Sequence, residues 1–176
     1  HTKLFVTRLC AAGYEVAIVP FFGLLGGPIG WQGIKLYPGS SHRTAQDIIG
    51  AHAHDFQADF VIFHADAWAL DFKLLGPGVR MVPWFPVDSD PIPEAVAQAV
   101  RQSWRGITFS RHGQRKAAEA GLDVEFVPRG VDTSIYAPMA KDIARQRCGM
   151  PKDAFIIGMV ALNIVNPARK AFPEIF

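Results

Sequence analysis

The sequence has little of several things that would mark a specialised chain. It holds only two cysteines in 176 residues, Cys10 and Cys148. Neither belongs to a metal-ligand or redox spacing, which excludes a disulfide framework and points to a reducing compartment. No apolar run approaches the ~20 residues that a membrane-spanning helix needs. The N-terminus lacks a charged region followed by an apolar stretch, so no secretory leader is read there. Neither charge sign dominates, and a formal net charge of +2 is too small to predict nucleic-acid binding. There is no Gly-x-Gly-x-x-Gly after a strand. The nearest string, Gly23 to Gly30, has the wrong spacing and leads into a strand instead of a helix. A soluble, cytoplasmic protein is the expectation.

What is present is a globular composition. Hydrophobic residues make up 49%, enough for one ordinary core and too many for a disordered chain. Basic residues gather locally: Arg101, Arg105, Arg111, Arg115 and Lys116 lie in one stretch. They read either as solvated helix faces or as a surface that meets anionic lipid or a phosphorylated substrate, so peripheral contact with a membrane stays open. The chain opens on His1 inside a helical pattern and closes at Phe176 shortly after an apolar run. Both ends are expected to be cut.

Periodicity sets the elements. Leu4, Phe5, Leu9 and Ala12 recur at helical spacing and Gly13 supplies a stop. Residues 14–19 read as a strand, and the glycine-rich residues 21–33 as a loop. Residues 33–37 form a short strand. Thr44 and Asp47 resemble a helix start, followed by the apolar stripe Ile48, Ile49, Ala53 and Phe56. Residues 60–64 and 79–85 are continuous apolar runs, the pattern of strands covered on both faces. Asp90 is the expected cap of a helix whose Ile92, Val96, Ala99 and Val100 share a face. Strand 106–109, a helix from 111 to 120 capped by Ser110, and strand 124–127 follow. A short helix after Pro138 ends at Gly149, and residues 155–162 read as a buried strand. Strands alternating with helices predict an α/β fold, a Rossmann-like doubly wound parallel sheet. In such sheets ligands sit at the carboxyl ends of strands.

One ordered set of residues carries a resemblance. Val127-Pro128-Arg129-Gly130-Val131-Asp132-Thr133 resembles the P-x-G-V-D-T segment of family-4 retaining glycosyltransferases with the GT-B fold. Upstream, the strand ending in Ser110 and the helix ending in Ala120-Gly121 are similar to that family's pattern. Downstream, Tyr136-Ala137-Pro138 resembles its F-x-P, and Arg147-Cys148-Gly149-Met150-Pro151 a contracted R-x-x-L-G-L-P. The resemblance covers nearly the whole chain, loosely over 20–58. It implies two Rossmann-like domains, one holding an acceptor and one a nucleotide-sugar donor. Residues 1–133 correspond to the acceptor half without its first strand, 134–153 to the linker, and 154–176 to the start of the donor half.

The same resemblance implies roles. Lys170, with Arg169 as a second contact, falls where the family places cations on the donor diphosphate, the group on which charge builds as the glycosidic bond breaks. Gly130, Val131 and Asp132 correspond to a cleft loop near the hinge, although Asp132 also reads as a simple turn cap. His64 and Asp66, at a strand's carboxyl end, and Ser110 correspond to the acceptor side; a lone His there is often structural. Many members carry a His near Asp88, and Asp88 is the candidate for that catalytic role. Trp68, Trp84 and Phe85 are aromatic candidates for a sugar ring, although such residues more often pack in cores. The resemblance implies a nucleotide-sugar donor as substrate, no cofactor or essential metal, and a glycan, lipid or small-molecule acceptor. Asp88-Ser89-Asp90 matches the D-x-D metal string only by letters. The family's paired glutamates, eight positions apart, do not occur in the donor-half segment before Phe176, so the chain alone is expected to be inactive. The alternative function is a non-catalytic Rossmann-like binding or interaction domain.

Overall fold

A computed structural model of the chain describes residues 2–21 and 24–160. The chain divides into two compact units, His1–Asp132 and Thr133–Phe176. Among the described residues every buried side chain lies in the first.

The first unit is α/β. Helix α1, Thr2–Ala11, leads to strand β1, Ala17–Ile18. Gly13 makes the stop between them with φ of +90°, a conformation that side chains oppose. Strands β2, Ile29–Trp31, and β3, Ile34–Leu36, form a hairpin. Its two loop residues, Gln32 and Gly33, both have positive φ, 51° and 78°, which matches the right-handed twist of the flanking strands. Residues 29–31 therefore correct the expectation of an unbroken loop from 21 to 33. The many glycines there concealed a turn lacking the usual Asn-Gly or Asp-Gly signal.

Helix α2, Gln46–Asp55, precedes β4, Val61–Phe63. Beyond it come β5, Met81–Phe85; α3, Glu94–Gln102; β6, Gly106–Thr108; α4, Arg111–Glu119; and β7, Val124–Phe126. Strands β4, β5, β6 and β7 pair in that order, all parallel. The result is a four-stranded parallel sheet flanked by helices, the Rossmann-like arrangement. Alternation along the strands assigns its faces. Phe63, Phe85 and Val124 lie on one face and are buried. Phe85 and Val124 pack there with Val96, Ala97, Ala99 and Val100 of α3 and Ala117 of α4. Trp84 lies on the other face, where the ring of Phe5 from α1 stands 5.1 Å away.

The single sheet expected from the sequence is two. Strands β1, β3 and β2 form their own sheet, with β1 parallel and β2 antiparallel to β3. Among the described residues nothing pairs with the outer edge of β1 or of β4. The Tyr37 N–H donates to the Ile18 carbonyl and the Val61 N–H to the Arg80 carbonyl. By the alternation of a parallel ladder, Ala17, Val19 and Ile62 turn their backbone groups to those open edges.

Two helix starts differ from expectation. The residue ahead of α2 is Ala45, with φ of 53° and no side-chain cap, while Asp47 accepts a bond from the Ser40 hydroxyl at 2.6 Å. Pro93 precedes α3 without a side-chain cap, and Asp90 instead pairs with Lys116 of α4 at 2.7 Å. Opposite charge on a neighbouring helix outcompetes a cap that would lie four residues ahead of Glu94.

The second unit contains α5, Lys141–Arg147. The Arg145 guanidinium donates to the carbonyls of Pro151, Lys152 and Ala154 beyond the helix. Residues 155–160 form no strand, contrary to expectation, and Phe155 and Val160 are fully exposed. An apolar strand is stable only against partner strands or a helix, and this segment pairs with none among the described residues.

Candidate functional site

The four parallel strands end at one rim, and the segments leaving them supply the candidate residues. His64 and Asp66 follow β4, Asp88 follows β5, Phe109 and Ser110 follow β6, and residues 127–132 follow β7. The rim is tied together through Trp84. Its indole N–H donates to the carbonyl of Val127 at 3.1 Å, which fixes the start of the last segment against β5. The His64 ring lies 5.0 Å from that of Trp84. The Arg129 guanidinium stands 4.0 Å from the centre of the Phe109 ring, a cation over an aromatic face.

Charge at this rim is uneven. Half-buried His64 is held below the ordinary histidine pKa, first because burial disfavours its charged form and then because of the charge of Arg129. Among the described residues no carboxylate stands in ion-pair distance of Arg129. Asp66 and Asp88 are exposed. Asp66 immediately precedes the one-turn helix Ala67–Ala69 without capping it through its side chain.

The other candidates divide. The Ser110 hydroxyl accepts from the Gly113 N–H at 2.9 Å and caps α4, so its oxygen already has a structural partner. Gly130 has no positive φ, and a Cβ there would meet open space. Neither backbone angle nor crowding within the described residues requires glycine at this position. Val131 is exposed and Asp132 half-buried. Trp84 and Phe85 are buried in the core, whereas Trp68 is 63% exposed. Lys170 and Arg169 lie outside the described residues. So the structure brings His64, Ser110 and the 127–132 segment to one rim and leaves Asp66 and Asp88 in solvent beside it.

The basic stretch resolves into separate environments. Arg101 pairs with Glu94 at 3.0 Å, and Lys116 bridges Asp90 and Glu119, both at 2.7 Å. These partners raise the Lys116 pKa, Asp90 foremost. Arg111 lies over Phe126 at 4.6 Å and Arg105 near Trp104 at 5.9 Å. The stretch is therefore not one continuous cationic face.

No group of three His, Cys, Asp or Glu among the described residues is placed to hold a metal. His52 stacks on Tyr37 at 4.4 Å, and its Nε2 meets the Pro38 carbonyl at 3.1 Å. A depression of about 480 Å³, lined by Gly50, His54, Gln57, Phe60 and Arg80 among others, opens where β4 and β5 begin. It is at the opposite end of the sheet from the rim. Arg129 was not legible as a site residue, because it occupies the variable position of the P-x-G-V-D-T string. The only signal was an arginine placed directly after a strand's end.

The described fold is α/β, with a four-stranded parallel sheet flanked by helices in the Rossmann-like manner. No family model, no curated protein and no solved structure matches the chain. No helix among the described residues is long and apolar enough to cross a membrane.

Proposed function

We propose that the chain is part of a GT-B glycosyltransferase that moves a sugar from a nucleotide donor to an acceptor hydroxyl with retention of configuration. In this reading residues 1–133 are the acceptor-side domain, 134–153 the linker and 154–176 the start of the donor domain. The acceptor, a glycan, lipid or small molecule, meets the rim near His64, Asp66 and Ser110. Asp88 stands in the position of the catalytic candidate, and Lys170 with Arg169 serves the donor diphosphate. A cytoplasmic location with peripheral membrane contact belongs to the same proposal.

One observation carries this reading. The Pro128-Arg129-Gly130-Val131-Asp132-Thr133 string leaves the carboxyl end of the last parallel strand and spans the division of the chain after Asp132. A hinge loop of a two-lobed enzyme has both properties. Residues 155–160, all but Met159 exposed and in no strand among the described residues, favour the second reading, a Rossmann-like binding module without catalysis.

A panel of radiolabelled nucleotide sugars decides between them. The 176 residues alone are expected to transfer nothing. Continued through a complete donor lobe, the protein is expected to transfer one sugar with its anomeric configuration kept, and Lys170→Ala to reduce kcat at least tenfold, as loss of a transition-state charge contact does. Failure of the continued protein to bind or hydrolyse any donor overturns the transferase reading.

A further inference from the structure

Arg129 is exposed, yet its guanidinium is not loose. It lies over the Phe109 ring at 4.0 Å, and its backbone follows Val127, which Trp84 anchors. A guanidinium braced by one flat face keeps its donor edges free, and those edges match oxyanion geometry. Elsewhere on the unit Arg101 and Lys116 each hold carboxylates. Arg129 holds none among the described residues. His64 sits within its electrostatic reach, on the adjoining Trp84 ring. Two groups able to carry positive charge thus lie at the rim where the fold presents ligands, one on the Trp84 ring and one on the segment that Trp84 anchors, with Asp66 and Asp88 turned to solvent.

We propose that Arg129, assisted by His64, binds a phosphate group of the acceptor at the carboxyl rim of the β4–β7 sheet. The inference rests on the acceptor-side reading and narrows it to phosphorylated acceptors. Phosphate fits better than carboxylate because its second negative charge matches a second cation. Arg129 satisfies one charge, and a dianion beside His64 draws a proton onto the imidazole, reversing the effect of burial and of the arginine. Burial and the charge of Arg129 disfavour the charged form of His64 in the unliganded chain, and a bound dianion favours it. Both groups act as binding residues, and neither is assigned a part in bond making.

The test uses the 176-residue chain labelled with ¹³C and ¹⁵N. Inorganic phosphate and glycerol 3-phosphate are titrated while the His64 ring and the Arg129 Nε resonances are followed. Saturable shifts of both, with the His64 titration moving to higher pH, are expected. Arg129→Gln is expected to weaken phosphate binding by about tenfold or more, the range for a charged hydrogen bond. Arg129→Lys retains charge without the fork and is expected to fall between, with far-UV circular dichroism unchanged in both variants. A parallel arm pellets the chain with phosphatidylcholine vesicles with and without phosphatidic acid. Arg129-dependent pelleting assigns the phosphate to a lipid, and Arg129-dependent shifts with soluble phosphates alone assign it to a soluble acceptor. Absence of saturable shifts together with no Arg129-dependent pelleting, or binding that Arg129→Gln leaves intact, overturns the proposal. Donor turnover is read separately: phosphate binding by a protein that uses no nucleotide sugar would sink the transferase reading, and with it the acceptor role, while keeping Arg129 as a phosphate-binding residue.

Discussion

At Gly113, in the first turn of α4, a single methyl group would meet the buried Thr108 hydroxyl directly and crowd Val87 at 3.1 Å. Thr108 is fully buried and its hydroxyl donates to the Phe85 carbonyl at 3.2 Å, so it has no room to give way. Gly113→Ala is expected to destabilise the protein by about 1–3 kcal/mol, the usual cost of overpacking a filled core. Urea denaturation followed by circular dichroism reads this, and an unchanged midpoint would show that α4 moves off the sheet freely. Gly130 is the opposite case. Its surroundings are open, so its identity answers to nothing that the described residues contain. The contrast sets apart a glycine required by packing from one whose reason, if the transferase reading holds, lies in a ligand.

At the scale of elements, the start of α2 shows how tertiary contacts replace local caps. Gln46 is 1% exposed. Its amide nitrogen donates to the Thr44 hydroxyl at 2.6 Å and the Ala69 carbonyl at 2.8 Å, and its amide oxygen accepts from the Asp71 N–H at 2.7 Å. These bonds lock α2 to the turn after β4. They also hold Ala45 in a left-handed conformation that alanine disfavours. Replacing Gln46 with Leu keeps the volume and takes the partner from two part-buried backbone groups, the Ala69 carbonyl and the Asp71 N–H. A loss of about 1–2 kcal/mol is expected, since an unsatisfied buried group costs on the order of 1–3 kcal/mol and these two are only partly buried. Thermal melting checks it, and a variant as stable as the parent would show water reaching those groups. The sequence offered Thr44 and Asp47 as the signal here. The helix was legible, but its fastening was not, because Gln46 works through residues 23 and 25 positions away.

For the whole molecule, both hydrophobic clusters fall within the first unit. Removing residues 133–176 is therefore expected to leave a cooperative melting transition within a few degrees of that of the whole chain. Differential scanning calorimetry of the shortened protein measures this, and loss of the transition would mean that the second unit supports the first. The same distribution explains residues 155–160. Their apolar run has the composition of an inner strand, and a composition cannot supply the partner strands that such a run needs.

Periodicity in the sequence determined the order of helices and strands from α2 to β7, because each apolar stripe repeats at the spacing of its own element. It also determined that Ser110 caps α4, since a serine side chain reaches a donor three residues on without help from elsewhere. Only the tertiary structure decided that the strands form two sheets, that Asp90 turns to Lys116, and that Arg129 rests on Phe109 while His64 lies against Trp84. Those outcomes depend on groups distant in the chain meeting in space. Pairing of edges, charges and rings is a property of that meeting and not of any local stretch of residues.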